Sequence, residues 1–273
     1  MRFSILRSGS SGNCTYIEHG STRVLLDAGG MSRKKIVALL EETGVPPSEM
    51  EAVVCTHLHS DHLSAATLGF CRSFSVPVWI HHECKPFFLS TFSEKQRSGV
   101  YVNYFETSPF SIADICFEPF EVSHDAAGVT SGFRFFARSD GRTCSAGYAA
   151  DLGHACDEVV GGLSDVKVLC LEANHDTEML WKNPYRTFIH KKRVTGKNGH
   201  LSNVQCAEAL ISIIESSSLM PEKIVLCHLS EDHNCEQTAI EHVREMLSAR
   251  DLHIEIIAAS RHRKTGFFEL CDI

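Results

Sequence analysis

At 273 residues, with 43% hydrophobic and 22% charged side chains, the chain can bury roughly three quarters of its unfolded surface and needs no disulfide framework to fold. A mean hydropathy of −0.07 and no apolar run approaching ~20 residues exclude a disordered, collagen-like or membrane-spanning chain. The net charge of −8 and pI of about 6.0 exclude a globally basic surface for nucleic acid, but leave room for a local basic groove beside a metal centre.

Short apolar runs predict strands at 3–6, 15–18, 24–27, 52–55, 78–81, 115–122, 132–137, 143–149, 166–171 and 224–227. Helical periodicity covers 32–42, 61–73, 201–215 and 236–247. Leu201, Val204, Ile211 and Ile214 mark one apolar face, and Ile240, Val243 and Leu247 another. Asp140-Gly141 predicts a hairpin turn. The stretch 183–198 lacks periodicity, carries most of the local positive charge and is expected to be the mobile piece. With no repeat, low-complexity tract or long linker, the reading is a single α/β domain over 1–273, with helices layered over central sheets. The opening MRFSILRSGSSGN holds no run long enough for a signal peptide, which predicts a cytoplasmic protein without membrane contact. Twelve cysteines, scattered singly with no CxxC pair, read as free thiols. Sixteen Phe against two Trp and five Tyr predict core filling rather than a platform for stacking bases.

Sixteen histidines are the compositional oddity, and their placement carries the chemistry. The apolar run at 52–55 is followed by His57-Leu-His59-Ser-Asp61-His62, four potential metal ligands within six residues. His57 and His59, two apart in extended chain, point the same way and can share one ion. Asp61 and His62 are expected to open the next helix and face a neighbouring position. Four further runs also end in polar residues: Ser123-His124-Asp125, Asp151, Glu172-Ala-Asn174-His175-Asp176 and His228. Carboxyl ends of strands are where open α/β sheets place ligands. Imidazole and carboxylate donors suit zinc, manganese and iron alike.

His57-Leu-His59-Ser-Asp61-His62, followed in order by His124, Asp151 and His228, resembles the dinuclear site of the metallo-β-lactamase superfamily. The resemblance implies a four-layer αββα sandwich with two divalent ions at one edge, Zn2+, Mn2+ or Fe2+. One ion would be held by His57, His59 and His124, the other by Asp61, His62 and His228, with Asp151 bridging. Ser8-Gly-Ser-Ser-Gly-Asn13, Leu171-Glu-Ala-Asn-His-Asp176 and Gly199-His200-Leu-Ser-Asn203 further resemble the YycJ (WalJ) exonuclease group, which is related to PhnP and ribonuclease Z.

That resemblance implies a phosphodiesterase or nuclease, foremost a 5′-to-3′ DNA exonuclease. A hydroxide bridging two cations roughly 3.5–4 Å apart would attack in line. His200 would be the general acid, and Asp61 is the other catalytic candidate. The alternative role of the His200 segment is a helix start, with Ser202 or Asn203 as the cap. Lys191, Lys192 and Arg193 could neutralise flanking phosphates. Ser11 and Asn13 belong to a loop that either presents N–H groups to a phosphate or makes a tight turn. Asn174, His175 and Asn203 complete the substrate-facing set. DNA is expected over RNA as the partner, and a homodimer is compatible with the sequence. The competing enzyme reading is a small-molecule hydrolase of the same fold, acting on a cyclic phosphate or nucleotide, a thioester or a lactone. A non-catalytic, metal-stabilised binding protein is the third reading. A positive strip leading away from the metals would favour the nuclease, and a closed pocket the size of one nucleotide the small-molecule enzyme.

Overall fold

Neighbouring residues on the central strands belong to different cores, and this alternation explains the architecture. The computed structural model describes residues 1–139 and 141–270. One sheet holds β1 (Arg2–Arg7), β2 (Cys14–His19), β3 (Thr22–Leu26), β4 (Ala52–Val54), β5 (Val78–His81) and β6 (Val102–Phe105). The other holds β7 (Phe110–Ile112), β8 (Ile115–Val122), β9 (Thr130–Ser139), β10 (Arg142–Ala149), β11 (Val168–Glu172), β12 (Lys223–Cys227) and β13 (Glu255–Ala258). A last strand, β14 (Phe268–Glu269), returns to pair with β1 in the first sheet. The orders are β14-β1-β2-β3-β4-β5-β6 and β13-β12-β11-β10-β9-β8-β7.

Val24 and Leu26 of β3 and Ala52 and Val54 of β4 face a core shared with Phe133 and Phe135 of β9, Cys170 of β11 and Val225 of β12. The intervening Leu25 and Val53 face the opposite way, onto Ile36, Leu39 and Leu40 of α1 (Arg33–Glu41) and Leu68 of α2 (Ala65–Phe74). In the second sheet Leu169, Leu171, Ile224 and Leu226 likewise turn outward, onto Leu210, Ile211 and Ile214 of one helix and Val243 and Leu247 of another. These strands are apolar throughout because both of their faces are covered. The result is helix, sheet, sheet, helix, in agreement with the expected αββα sandwich.

Several elements escaped the sequence reading for want of length. α3 (Lys85–Thr91), α4 (Glu94–Arg97), α5 (Asp157–Leu163), α6 (Thr177–Lys182) and α7 (Phe188–Val194) have at most seven residues each, two turns or less, too few to show a period. Strands β6, β7, β13 and β14 are short pieces at or near sheet edges. The long helices α8 (Asn203–Glu215) and α9 (Glu236–Ser248) match their expected spans closely.

Four expectations are corrected. Asp61 and His62 do not open a helix: α2 starts at Ala65, capped by Ser64, and both residues sit in the preceding turn. The stretch 183–198 is not irregular throughout, since it contains α7. Among the described residues ten cysteines are free, but Cys144 is disulfide-bonded. The aromatics are not all core filling, since Tyr185 and Phe188 are exposed. Of the expected Asp140-Gly141 turn, Asp140 lies outside the described residues; the flanking strands pair antiparallel from Arg142 opposite Ser139 to Tyr148 opposite Phe133. No helix among the described residues is long and apolar enough to cross a membrane.

Candidate metal centre and cleft

The ligand-type side chains gather because the strands carrying them end at the same edge of the sandwich. His57, His59 and His124 offer nitrogens that all lie within 4.8 Å of one another, and so do the donor atoms of Asp61, His62 and His228. Asp151 lies between the two sets. Its Oδ1 is 3.6 Å from His124 Nε2 and 3.4 Å from His228 Nε2, and its Oδ2 is 2.9 Å from His62 Nε2. His57, His62 and Asp151 also form a close group, so the two sets adjoin.

The backbone bends sharply to achieve this. Asp27, Asp151 and His228 follow β3, β10 and β12, and all three have left-handed backbones, with φ of 59°, 57° and 54°. Such a conformation costs an L-residue roughly 1–2 kcal/mol, and it turns each side chain back toward the cluster instead of continuing the strand. Asp27 then holds the histidine motif from behind. It accepts from Thr56 N at 2.9 Å and from His62 Nδ1 at 2.8 Å, both buried. The Ser8–Asn13 loop closes a second side. Gly12 and Gly30 have positive φ, and a Cβ on Gly30 would come within 2.3 Å of Ser11 O, so the two loops touch backbone to backbone. The N–H groups of Gly9 and Gly12 are bonded within the loop, to Asn13 Oδ1 and Gly9 O, and those of Ser8 and Asn13 to Ser260 O and Asp61 O, which fixes a tight turn whose Ser10 and Ser11 line the cleft.

Buried atoms without partners show that this donor set fits divalent cations. His57 is fully buried, yet its Nε2 has no hydrogen-bond partner. Asp151 Oδ2 approaches His62 Nε2 without the alignment of a hydrogen bond, as two ligands of one ion would. The electrostatics agree. Burial disfavours charge on His228, but Asp151, Asp61 and Glu172 outweigh it and lift its pKa to about 10. Burial likewise opposes charge on His62, where Asp27, Asp151 and Asp61 win and raise it well above the ordinary value. Burial opposes ionisation of Asp61 and Asp151, yet the neighbouring histidines hold both carboxyls down. The carboxylates thus demand positive charge, which protons supply when cations do not. With nitrogen and oxygen donors only, the set suits zinc, manganese or iron.

Glu172 is the residue whose importance sequence reasoning missed. Fully buried at the end of β11, its Oε1 accepts from Nδ1 of His200 and of His228, each at 2.8 Å. Its Oε2 accepts from Leu152 N and Leu201 N. Asp27 was missed as well. The same signal, a polar residue closing an apolar run, marks both. His200 lines the cleft two residues before Ser202, which caps α8, so the segment is also the helix start.

The cleft is open to solvent and has a volume of about 470 Å3. Its walls include Ser11, Asn174, Arg186, His190, Arg193 and His233. No motif in the sequence marks His190 or His233 as part of the site. Other predicted substrate contacts lie elsewhere. Lys191 is buried and its Nζ donates to Trp181 O at 2.8 Å, so it is not offered to the cleft. Asn203 is buried and paired with Asn234. His175 is buried beside the cleft wall, and Asn13 donates toward His62 Nε2 at 2.9 Å. Lys192 is exposed on the outer side of α7. Arg193 forms a two-pronged ion pair with Asp125, and Arg186 is paired with Asp232. The expected basic strip is therefore largely neutralised.

Residues 7–143 match the metallo-beta-lactamase superfamily. The chain is 32% identical over 260 residues to the exodeoxyribonuclease WalJ of Streptococcus pneumoniae, covering 93% of this chain and 91% of that one. It is 29% identical over 253 residues to the exodeoxyribonuclease YycJ of Bacillus anthracis, covering 92% and 90%. The crystal structure of YhfI, a metallo-beta-lactamase fold protein of Bacillus subtilis, superposes with a TM-score of 0.70 at 15% identity, over 98% of this chain and 99% of that one. Likeness that runs through both sheets and nearly all of the sequence leaves one assignment: the chain belongs to the metallo-beta-lactamase superfamily, in the group that holds WalJ and YycJ.

Proposed function

We propose that this protein is a dinuclear metal-dependent phosphodiesterase that degrades DNA from an end in the 5′-to-3′ direction. The observation that carries the reading is the pairing of a seven-residue ligand cluster with a buried carboxylate, Glu172, that holds His200 at the cleft. The relatives named exodeoxyribonucleases support DNA as the substrate.

In this reading His57, His59 and His124 would hold one ion and Asp61, His62 and His228 the other, with Asp151 offering a carboxylate to both sets. Two such cations would activate water near neutral pH and stabilise charge on the phosphate oxygens. The leaving alkoxide needs a proton, and His200 provides it. With Nδ1 committed to Glu172, Nε2 is the nitrogen left for the cleft that His200 lines. Burial works against a charged His200, but Glu172 and Asp151 outweigh it and raise its pKa, the direction a general acid requires. Asp61, its side chain partly open to the cleft and its Oδ2 3.5 Å from His228 Nε2, would complete that ion's ligands. Ser11 and Asn174 line the wall where a phosphate would lie.

The neutralised arginines favour a second reading, a phosphodiesterase for small substrates that needs no basic strip. Metal-reconstituted protein should be incubated with single- and double-stranded DNA and RNA labelled at one end, and with bis-p-nitrophenyl phosphate. Stepwise release of labelled mononucleotide from the 5′ end of DNA is the expected result. Cleavage of the small diester alone would assign the second reading.

A further inference from the structure

We propose that the outer face of α6, α7 and their connecting loop is a stacking platform for unpaired bases of a nucleic-acid strand entering the cleft. The proposal deepens the nuclease reading and rests on it for the identity of the strand. Of the eleven large apolar side chains exposed among the described residues, five fall within 179–189: Met179, Trp181, Tyr185, Phe188 and Ile189. Tyr185 is 91% exposed, Ile189 81% and Phe188 65%. Arg186 lies among them in the chain and His190 and Arg193 follow directly after, and all three line the metal cleft. The apolar surface and the cleft wall are thus two sides of one short segment.

The cations on this face distinguish a nucleic-acid strand from a second copy of the chain. Lys192 Nζ lies 5.6 Å from the ring centre of Phe188 and 5.8 Å from that of Trp181, resting over aromatic faces rather than on a carboxylate. The rings of Trp181 and Phe188 lie 6.0 Å apart, centre to centre. The centre of a protein–protein interface is depleted of lysine, whereas a single strand needs aromatic faces for its bases and a cation between them for its phosphates. The platform is also held in place. Buried Lys191 ties α7 to α6 through Trp181 O, and Asn183 pairs with His233 of the cleft wall. Stacking tolerates any base, which suits an enzyme that removes nucleotides without regard to sequence. It also replaces the attraction that the ion-paired Arg186 and Arg193 do not supply.

The test is binding of a fluorescent oligothymidine of about 20 nucleotides, longer than one binding site, to the full-length protein in EDTA, where no turnover occurs. Tyr185→Ala and Phe188→Ala should each weaken binding about fivefold or more, while Tyr185→Phe and Phe188→Tyr keep wild-type affinity. Metal-loaded alanine variants should hydrolyse bis-p-nitrophenyl phosphate at the wild-type rate. Unchanged oligonucleotide affinity in both alanine variants overturns the platform. So does a wild-type dimer that the alanine substitutions convert to monomer, because a second copy would then cover this face. Tight, ring-dependent binding by a protein that leaves DNA uncut when metal-loaded would retain the platform and sink the nuclease reading.

Discussion

Nδ1 of His200 lies 2.8 Å from Oε1 of Glu172, and the same oxygen takes Nδ1 of His228 at 2.8 Å. One buried carboxylate therefore sets the tautomer of a candidate proton donor and of a candidate ligand together. Glu172→Gln keeps the shape but removes the charge, and should lower DNA hydrolysis by about 10–100-fold, as loss of a group behind a metal ligand does. Circular dichroism should be unchanged. Full activity in the variant would mean that neither imidazole depends on the carboxylate.

Removing the ligands should be separable from removing the proton donor. His57→Ala should lose bound metal and activity with the fold intact, since the cluster lies in loops at the sheet edge. Asp151→Ala should reduce the content of both ions. Elemental analysis of each purified variant reads this directly, and two full equivalents in His57→Ala would contradict the assignment.

His200→Ala should retain its metals and lose about 10²–10⁴-fold on DNA, the usual worth of general acid catalysis. Cleavage of bis-p-nitrophenyl phosphate should fall far less, because p-nitrophenolate leaves without a proton. Equal losses on the two substrates would place His200 on the phosphoryl group instead of the leaving oxygen.

The two neighbouring lysines should behave oppositely. Lys192→Ala should reduce the salt dependence of DNA binding by a slope of about one. Lys191→Ala should leave that slope alone and lower stability by about 1–3 kcal/mol, because Trp181 O loses its buried donor. Salt titrations and thermal melts of both variants decide the matter, and a slope change in Lys191→Ala would argue against its burial.

Metal-free protein should lose stability as pH rises. His228 is held at about 10 against an ordinary 6.5, and His62 is raised too, so their stabilisation is complete below 6.5 and lost as pH climbs through 10. Glu172 is lowered to about 2 despite its burial, through His200 and His228, so its contribution is present above 4.5 and lost in acid. Melts in EDTA should therefore fall toward alkaline pH as His228 and His62 lose their protons, and fall in acid as well, where burial opposes protonation of His57, His59, His124 and His175. Reconstituted protein, in which cations replace those protons, should hold its melting temperature over the alkaline range. Parallel decline with and without metal would refute the linkage.

Local pattern sufficed wherever one stretch of chain carried the whole signal. Continuous apolar runs identified the central strands because both faces of β3, β4, β11 and β12 are buried. Their polar endings pointed to the cluster, since the carboxyl ends of such strands share one edge. What a side chain meets across the fold was not legible. Glu172 looked like one acid among several until β11 and β12 brought His200 and His228 to the same oxygen from 28 and 56 residues away. Lys191 and Lys192 are adjacent in sequence, yet helical rotation buries one ammonium against Trp181 and sets the other over aromatic rings at the surface. Composition counted the aromatics but could not separate those that fill the core from those on the outer face of α6 and α7. Periodicity reports which face of an element is apolar; only packing decides whether that face is covered, and by what.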